Sequence, residues 1–315
     1  MVSDAAPELS ILVATRNRAP YLADMLNSLV SALAASPTRA EIVIIDNGST
    51  DETASVAHEW APRLPGLIYL LEQQPGKSRA LNRGLARARA PLLAFVDDDV
   101  CVATEWIQAV LDFFADYPQY DAGGGRVLMA RDVTDPELLA RVASFRSLPL
   151  YDGGDSVHDL RGLAGCNMAL RRRVVDIVGL FNERLGPGAS GAHEDADFSE
   201  RIRAAKLGIG YIPRAIVYHA VDPARFTPAS FRDFQRRMAR SLYALDPQHA
   251  WRKSAGRLPG ILIACIWWSL LRNPTRRSRQ WGRLIQHSEV LRLRWRDGWT
   301  PPAPAVDWST LKRKT

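Results

Sequence analysis

Two groups of carboxylates are placed where they could do chemistry. Val96-Asp97-Asp98-Asp99 sets three acids directly after an apolar run, and Glu194-Asp195-Ala196-Asp197 sets three more after a glycine-rich stretch. Adjacent negative charges repel unless a cation or water relieves them. Hard cations such as Mg²⁺ or Mn²⁺ favour carboxylates together with phosphate oxygens, and a diphosphate leaving group calls for such an ion as Lewis acid. Asp97, Asp98 and Asp99 are therefore candidate metal and phosphate ligands; the alternative is a solvated acidic turn capping a helix near Thr104. In the second group, Asp195 could take a proton from a hydroxyl within hydrogen-bonding reach, with Glu194 beside it. Simple capping of a helix by acids at its positive end is the alternative there.

Other near-motifs narrow the chemistry. His193-Glu194-x-x-Asp197 lacks the second histidine of a zinc protease. Pro75-Gly76-Lys77-Ser78 ends like a phosphate-binding loop, but Leu71 stands where that loop needs its first glycine. Lys77 and Arg79 nonetheless open a basic helix, where they could meet phosphate or base or form a solvated face.

The elements that must carry these groups read as an alternating α/β pattern. Leu9–Ala14, Glu41–Ile45, Leu67–Leu71 and Leu92–Val96 are short runs rich in Ile, Val and Leu, as buried parallel strands are. Helical patterns separate them: Leu22, Met25, Leu26 and Leu29 on one face; Thr53–Trp60 behind an expected capping box of Ser49 and Glu52; Lys77–Arg89. This order predicts an open, mainly parallel, Rossmann-like sheet with helices on both faces and ligands beyond the strands' carboxyl ends. Thr15-Arg16-Asn17, Asp46-Asn47-Gly48 and the aspartate triplet sit at those ends. Further on, Gly123-Gly124-Gly125 opens an extended stretch, Asp152–Asp155 a loop, Cys166–Leu170 a short strand, Gly186–Gly191 a loop and His193–Ala205 a helix. Ile209–Tyr211 and Ala215–Tyr218 read as two closing strands before a helical end.

At 315 residues and 47% hydrophobic, the chain can bury a large core. Three scattered cysteines, Cys101, Cys166 and Cys265, form neither a CxxC pair nor a disulfide framework. Met1–Glu8 lacks the basic-then-apolar order of a secretory signal, so a cytoplasmic protein is expected.

Taken in order, Ala14-Thr15-Arg16-Asn17-Arg18, Ile45-Asp46-Asn47-Gly48-Ser49-Thr50-Asp51, Gly76-Lys77-Ser78-Arg79-Ala80-Leu81-Asn82, the aspartate triplet, Gly165-Cys166-Asn167-Met168-Ala169-Leu170-Arg171 and Glu194-Asp195-Ala196-Asp197-Phe198 resemble the family 2 glycosyltransferases with the GT-A fold. The resemblance runs from about Leu9 to Ala220. It implies a catalytic domain over 1–225, with a nucleotide-binding half (8–120) and an acceptor half (121–225), followed by a helical region over 226–315. It also implies one sugar moved with inversion from a UDP-, dTDP- or GDP-linked donor to a carbohydrate or lipid-linked acceptor, in cell-surface polysaccharide or glycolipid synthesis. By that resemblance Asp46 contacts the base, and Thr15, Arg16 and Arg79 hold the nucleotide. Asp97, Asp98 and Asp99 bind Mg²⁺ or Mn²⁺ and the donor, Asp99 most directly; His219 matches a histidine near the metal. Asp195 is the base, Glu194 assists the acceptor, and Gly165, Cys166 and Asn167 line the pocket. Gln235-Arg236-Arg237-Met238-Ala239 departs from the Gln-x-x-Arg-Trp motif of processive synthases, so single transfer is expected. A binding module without turnover and a nucleotidyltransferase are the competing readings; the latter normally needs a glycine-rich loop after the first strand, and Thr15–Ala19 has no glycine.

The net charge of +7 is concentrated at one end: residues 251–315 carry fourteen Lys or Arg against Glu289, Asp297 and Asp307, and seven of nine tryptophans (Trp251, Trp267, Trp268, Trp281, Trp295, Trp299 and Trp308). Leu258–Leu271 is apolar but too short for an ordinary membrane span. Its basic flanks and tryptophans suit a lipid interface, which would bring the enzyme to the inner face of the plasma membrane through 251–299. Packing as a helical appendage or dimer interface is the alternative. No nucleic-acid motif is present, so no nucleic-acid partner is expected.

Overall fold

In the computed structural model, residues 6–145, 147–272 and 274–297 are described, so Trp299 and Trp308 lie outside the described residues. The chain divides into two compact units. The first comprises Met1–Val133, Leu148–Glu183 and Glu194–Val221; the second comprises Thr134–Ser147, Arg184–His193 and Asp222–Thr315.

The first unit is built on eight strands: β1 (Leu9–Thr15), β2 (Ala40–Asp46), β3 (Leu67–Leu71), β4 (Leu92–Val96), β5 (Val100–Val102), β6 (Ala122–Met129), β7 (Asn167–Arg171) and β8 (Ile209–His219). They form one sheet in the order β3-β2-β1-β4-β7-β6-β8-β5. β1 pairs in parallel with β2 and β4, and β2 with β3, whereas β7 runs antiparallel to both β4 and β6. The sheet is thus mixed. Because β1, β2 and β4 are neighbours in parallel register, the segments after Thr15, Asp46 and Val96 emerge side by side.

Alternation along each strand builds two cores. Leu9, Ile11 and Val13 join Ile42 and Ile44 on one face, covered by α1 (Ala19–Ala34), α2 (Thr53–Trp60) and α4 (Trp106–Asp116). Leu12, Val43 and Ile45 face the other side, covered by α3 (Lys77–Arg87), α6 (Arg172–Val178) and α7 (Glu194–Ala204). A Cβ on Gly84 of α3 would lie 2.7 Å from Ile45 Cδ1, so the missing side chain lets α3 lie close to the sheet.

Three local expectations are corrected. The aspartate triplet caps no helix: β5 follows at once, and α4 begins only at Trp106 with Glu105 at its cap. Ser49 and Glu52 form no capping box; Asp51 instead accepts from Thr53 N and Oγ1 and from Ala19 N, tying α2 to the start of α1. The two closing strands are one, β8, whose pairing with β6 skips from Ile212 to Ile216 across Pro213, which has no N–H to offer a ladder.

The second unit holds α5 (Pro136–Phe145), a 3₁₀ turn (Pro223–Phe226), α8 (Pro228–Leu245), α9 (Pro247–Leu270) and α10 (Pro274–Arg296). Ala239, Tyr243, Ala250, Val290 and Leu293 form its core. Within it, 186–191 makes a tight turn using positive φ at Gly186, Gly188 and Gly191, pinned by Ser241 Oγ bonding to Ser190 and Ala192 N. Among the described residues, no helix is long and apolar enough to cross a membrane.

Candidate active site

The site is assembled where the segments after β1, β2 and β4 meet α3 and α7. Two asparagines fix the first of these. Asn17, in the left-handed conformation (φ 53°) that asparagine tolerates, accepts from Thr50 N at 2.7 Å, and its own N–H donates to Ser49 Oγ. Asn47 Nδ2 donates to Glu72 O and Gln74 O, and its Oδ1 accepts from Gly76 N. The loops after β1, β2 and β3 are therefore one hydrogen-bonded framework.

The aspartate triplet occupies the tight turn between β4 and β5, with Asp98 and Asp99 buried and Asp97 half-buried. Arg18 Nη1 lies 3.1 Å from Asp98 Oδ1 and 2.5 Å from Asp99 Oδ2, so one guanidinium bridges both. Burial and the neighbouring Asp99 push the Asp98 carboxyl up to about 6 although Arg18 pulls it down. His219, at the end of β8, places Nε2 3.6 Å from Asp99 Oδ1. Its Nδ1 lies 2.8 Å from Ala220 O, a carbonyl that can only accept, so Nδ1 carries a proton and Nε2 is the ring nitrogen turned to Asp99.

Lys77, the first residue of α3, reaches between the two acidic groups. Its Nζ lies 2.5 Å from Asp97 Oδ1 and 3.7 Å from Glu194 Oε1. Burial opposes its charge, but Asp97 and Glu194 outweigh that and raise its pKa. Glu194 is buried, and burial raises its carboxyl, opposed by Lys77 and reinforced by Asp195. Asp195 is half-buried and accepts from Gly165 N at 3.1 Å through Oδ2. A Cβ on Gly165 would sit 3.7 Å from both that oxygen and Lys77 Nζ. The turn at Gly165, α3 and the start of α7 thus share one small space with Asp97.

The other expected residues lie around these groups. Asp46 is buried with both oxygens engaged, accepting from Ser49 N and Tyr69 Oη. Thr15 is buried at the strand end. Arg79 pairs with Glu183 at 3.0 Å and with Gln74. Arg16 points to solvent, and Arg18 takes the position facing the acids. Asn167 is buried with its amide engaged: its Oδ1 accepts from Trp106 Nε1, and its Nδ2 donates to Arg126 O and Ala215 O. It fills the space left by Gly125, where a Cβ would come within 2.3 Å of its Nδ2, and so closes the irregular β6–β8 pairing. Cys166 is buried behind the turn, and burial drives its thiol well above the ordinary range. Asp197 pairs with Arg201 one turn along α7.

Residues 10–178 match the family model for Glycosyl transferase family 2. The chain belongs to that family.

This glycosyltransferase is 23% identical to glycosyltransferase AglE of Haloferax volcanii over 223 residues, 70% of each chain. It is 27% identical over 209 residues to succinoglycan biosynthesis protein ExoM of Rhizobium meliloti, covering 66% of this chain and just under two thirds (65%) of that one. Its fold is that of solved GT-A enzymes. A mannosyltransferase from Pyrobaculum calidifontis, in complex with GDP-Man and Mn²⁺, matches 95% of the chain, itself covered to 78%, with a TM-score of 0.54 at 20% identity. TarS 1–349 of S. aureus, in complex with UDP-GlcNAc, matches with a TM-score of 0.53 at 17% identity, over 92% of each chain.

Within the glycosyltransferase, two cations hold the site together: Arg18, to which the sequence gives no role, at the triplet, and Lys77, expected to meet phosphate or base, between the triplet and α7. Among the described residues, no three acidic, histidine or cysteine side chains form a ready metal cage. Asp99 and His219 Nε2 offer two donors on one side.

Proposed function

We propose that this glycosyltransferase moves one sugar from a nucleotide-diphosphate donor, UDP-, dTDP- or GDP-linked, to a hydroxyl of a carbohydrate or lipid-linked acceptor in polysaccharide or glycoconjugate synthesis. The observation that carries this reading is Lys77, whose ammonium contacts both Asp97 and Glu194 and so ties the two acidic groups to one site.

In a single displacement the acceptor oxygen bonds to the anomeric carbon as the carbon–oxygen bond to the diphosphate breaks, and configuration inverts. Asp195 receives the hydroxyl proton. The Gly165 N–H orients its carboxylate, and its partial exposure leaves it open to an acceptor. Glu194 is a positioning residue, holding Lys77 toward Asp97. Asp46, with Thr15 and Arg79, lines the donor side. A hard cation that draws most of its oxygens from phosphate and water needs only one or two protein ligands, which suits Asp99 and His219 with Asp97 and Asp98 nearby. Bound there, Mg²⁺ or Mn²⁺ would neutralise charge developing on the departing nucleotide. The mannosyltransferase solved with GDP-Man and Mn²⁺ supports this choice. The names of the relatives, among them a succinoglycan biosynthesis protein, support the pathway class.

The test is Asp195→Asn with a panel of nucleotide sugars and Mn²⁺. Donor binding by calorimetry should match the parent, while turnover falls about 10²–10⁴-fold, and the product's anomeric configuration, read by NMR, should be opposite to the donor's. Undiminished turnover would place the base on another residue, and retained configuration would exclude single displacement.

A further inference from the structure

Helix α9 is apolar on two opposite faces. One carries Ser254, Ile261 and Cys265, all buried, with Ser254 Oγ bonded to His287 of α10. The other carries Leu262, Ile263, Ile266, Trp267 and Leu270, all exposed, with Ile263 at 69% and Leu270 at 73%, and Leu271 follows, exposed, at the helix end. Scattered exposed apolar residues are ordinary, but a contiguous stripe of them marks an interaction surface.

The charge around the stripe says what it meets. From Pro247 to Ser288 the chain has no Asp or Glu. Arg252, Lys253 and Arg257 lie exposed before the stripe, and Arg272, Arg276 and Arg277 lie exposed after it. We propose that this face of α9 docks in the interfacial plane of a membrane that carries anionic lipid. A helix lying in that plane buries an apolar face among acyl chains while basic residues meet headgroups, and Trp267 suits the boundary. The stripe is about 14 Å long at 1.5 Å per residue, enough to lie along a surface and far too short to span it. A second copy of the chain is the weaker occupant. An isologous contact presents the same patch twice, and with both ends basic either orientation sets arginines against arginines. Nucleic acid is disfavoured because the centre is aliphatic, offering one exposed indole for stacking.

Sedimentation of the full chain with vesicles tests this: phosphatidylcholine alone against phosphatidylcholine with about a third phosphatidylglycerol, at low and high salt. Binding should appear with the anionic vesicles and weaken with salt. The variant Ile263→Ser/Ile266→Ser/Leu270→Ser should unfold thermally as the parent does and partition at least about a hundredfold less. Anionic vesicles left unbound by the parent, or bound equally by the variant, overturn the proposal. A parent dimer in light scattering that the variant loses gives the face to a second copy, and variant-sensitive binding of a single-stranded RNA oligomer gives it to nucleic acid. None of these readouts needs turnover, so they fail or succeed independently of the active-site proposal.

Discussion

Replacing Lys77 with methionine keeps an unbranched stem, one atom shorter, and removes the charge, which makes it the sharpest probe of the bridge between the acidic groups. At an effective dielectric of about 20, an ammonium 2.5 Å from Asp97 is attracted by about 7 kcal/mol, and one 3.7 Å from Glu194 by about 4–5 kcal/mol. Desolvation of the ammonium offsets most of that, and the measured loss reflects chiefly the carboxylates left without a partner, about 3–5 kcal/mol when one member of a buried pair is removed. Lys77 is 18% exposed and Glu194 can take up a proton, so the lower end, about 3 kcal/mol, is expected. With a urea slope of about 2 kcal/mol/M, the midpoint should fall by about 1.5 M. The pH dependence follows from Glu194. Its folded pKa is already raised above 4.5, and losing Lys77 removes an influence that lowers it. A raised carboxyl adds stability that is complete below its unfolded value and is lost as pH rises through the folded one. The deficit of the variant should therefore be smaller at about pH 5 than at about pH 8. Lys77→Arg should recover much of the loss, and Glu194→Gln added to Lys77→Met should recover the share belonging to Glu194. A Lys77→Met protein within about 0.5 kcal/mol of the parent at about pH 8 would refute the bridge.

In metal-free buffer, the Asp98 carboxyl at about 6 makes the folded state lose stability as pH rises through that value, so urea midpoints should move in favour of Asp98→Asn over the same range. Gly165→Ala meets only ordinary contacts at 3.7 Å, so it should unfold as the parent does, with any kinetic loss reporting crowding of the substrate. Arg18→Ala should destabilise by about 1–3 kcal/mol in chemical unfolding, because it removes the cation that bridges Asp98 and Asp99, whereas Arg16→Ala should stay within about 0.5 kcal/mol.

The first four strands and the aspartate triplet were legible because each run of Ile, Val and Leu ends abruptly in polar residues. Arg18 was harder to see. Extending the alternation of β1 favours neither arginine, and it is the left-handed turn at Asn17 that aims the second one at the acids. Lys77 and Arg79 looked equivalent, yet residues two apart on a helix point to nearly opposite sides, so only one meets the acids. Asn167 sits two residues before Ala169 on the same strand face, which is the face covered by Trp106; pairing partners decided that, and they are not local. β5 is three residues long and follows at once on the turn that the triplet itself makes, too brief for periodicity to register. The patterns of α5 and α6 merge with the flanking loops.

The position of β7 has a consequence for how the molecule comes into being. Its antiparallel place beside β4 closes only after the long excursion from Val96 to Asn167, and the partner of Lys77 on α7 arrives later still. During synthesis the strands β1 to β4 can pair early, since they follow one another along the chain. The carboxylates at the start of α7 join them only when nearly all of this unit has been made. On the roles proposed above, Asp195 would join the site last, and sugar transfer would then report that folding of this unit is complete.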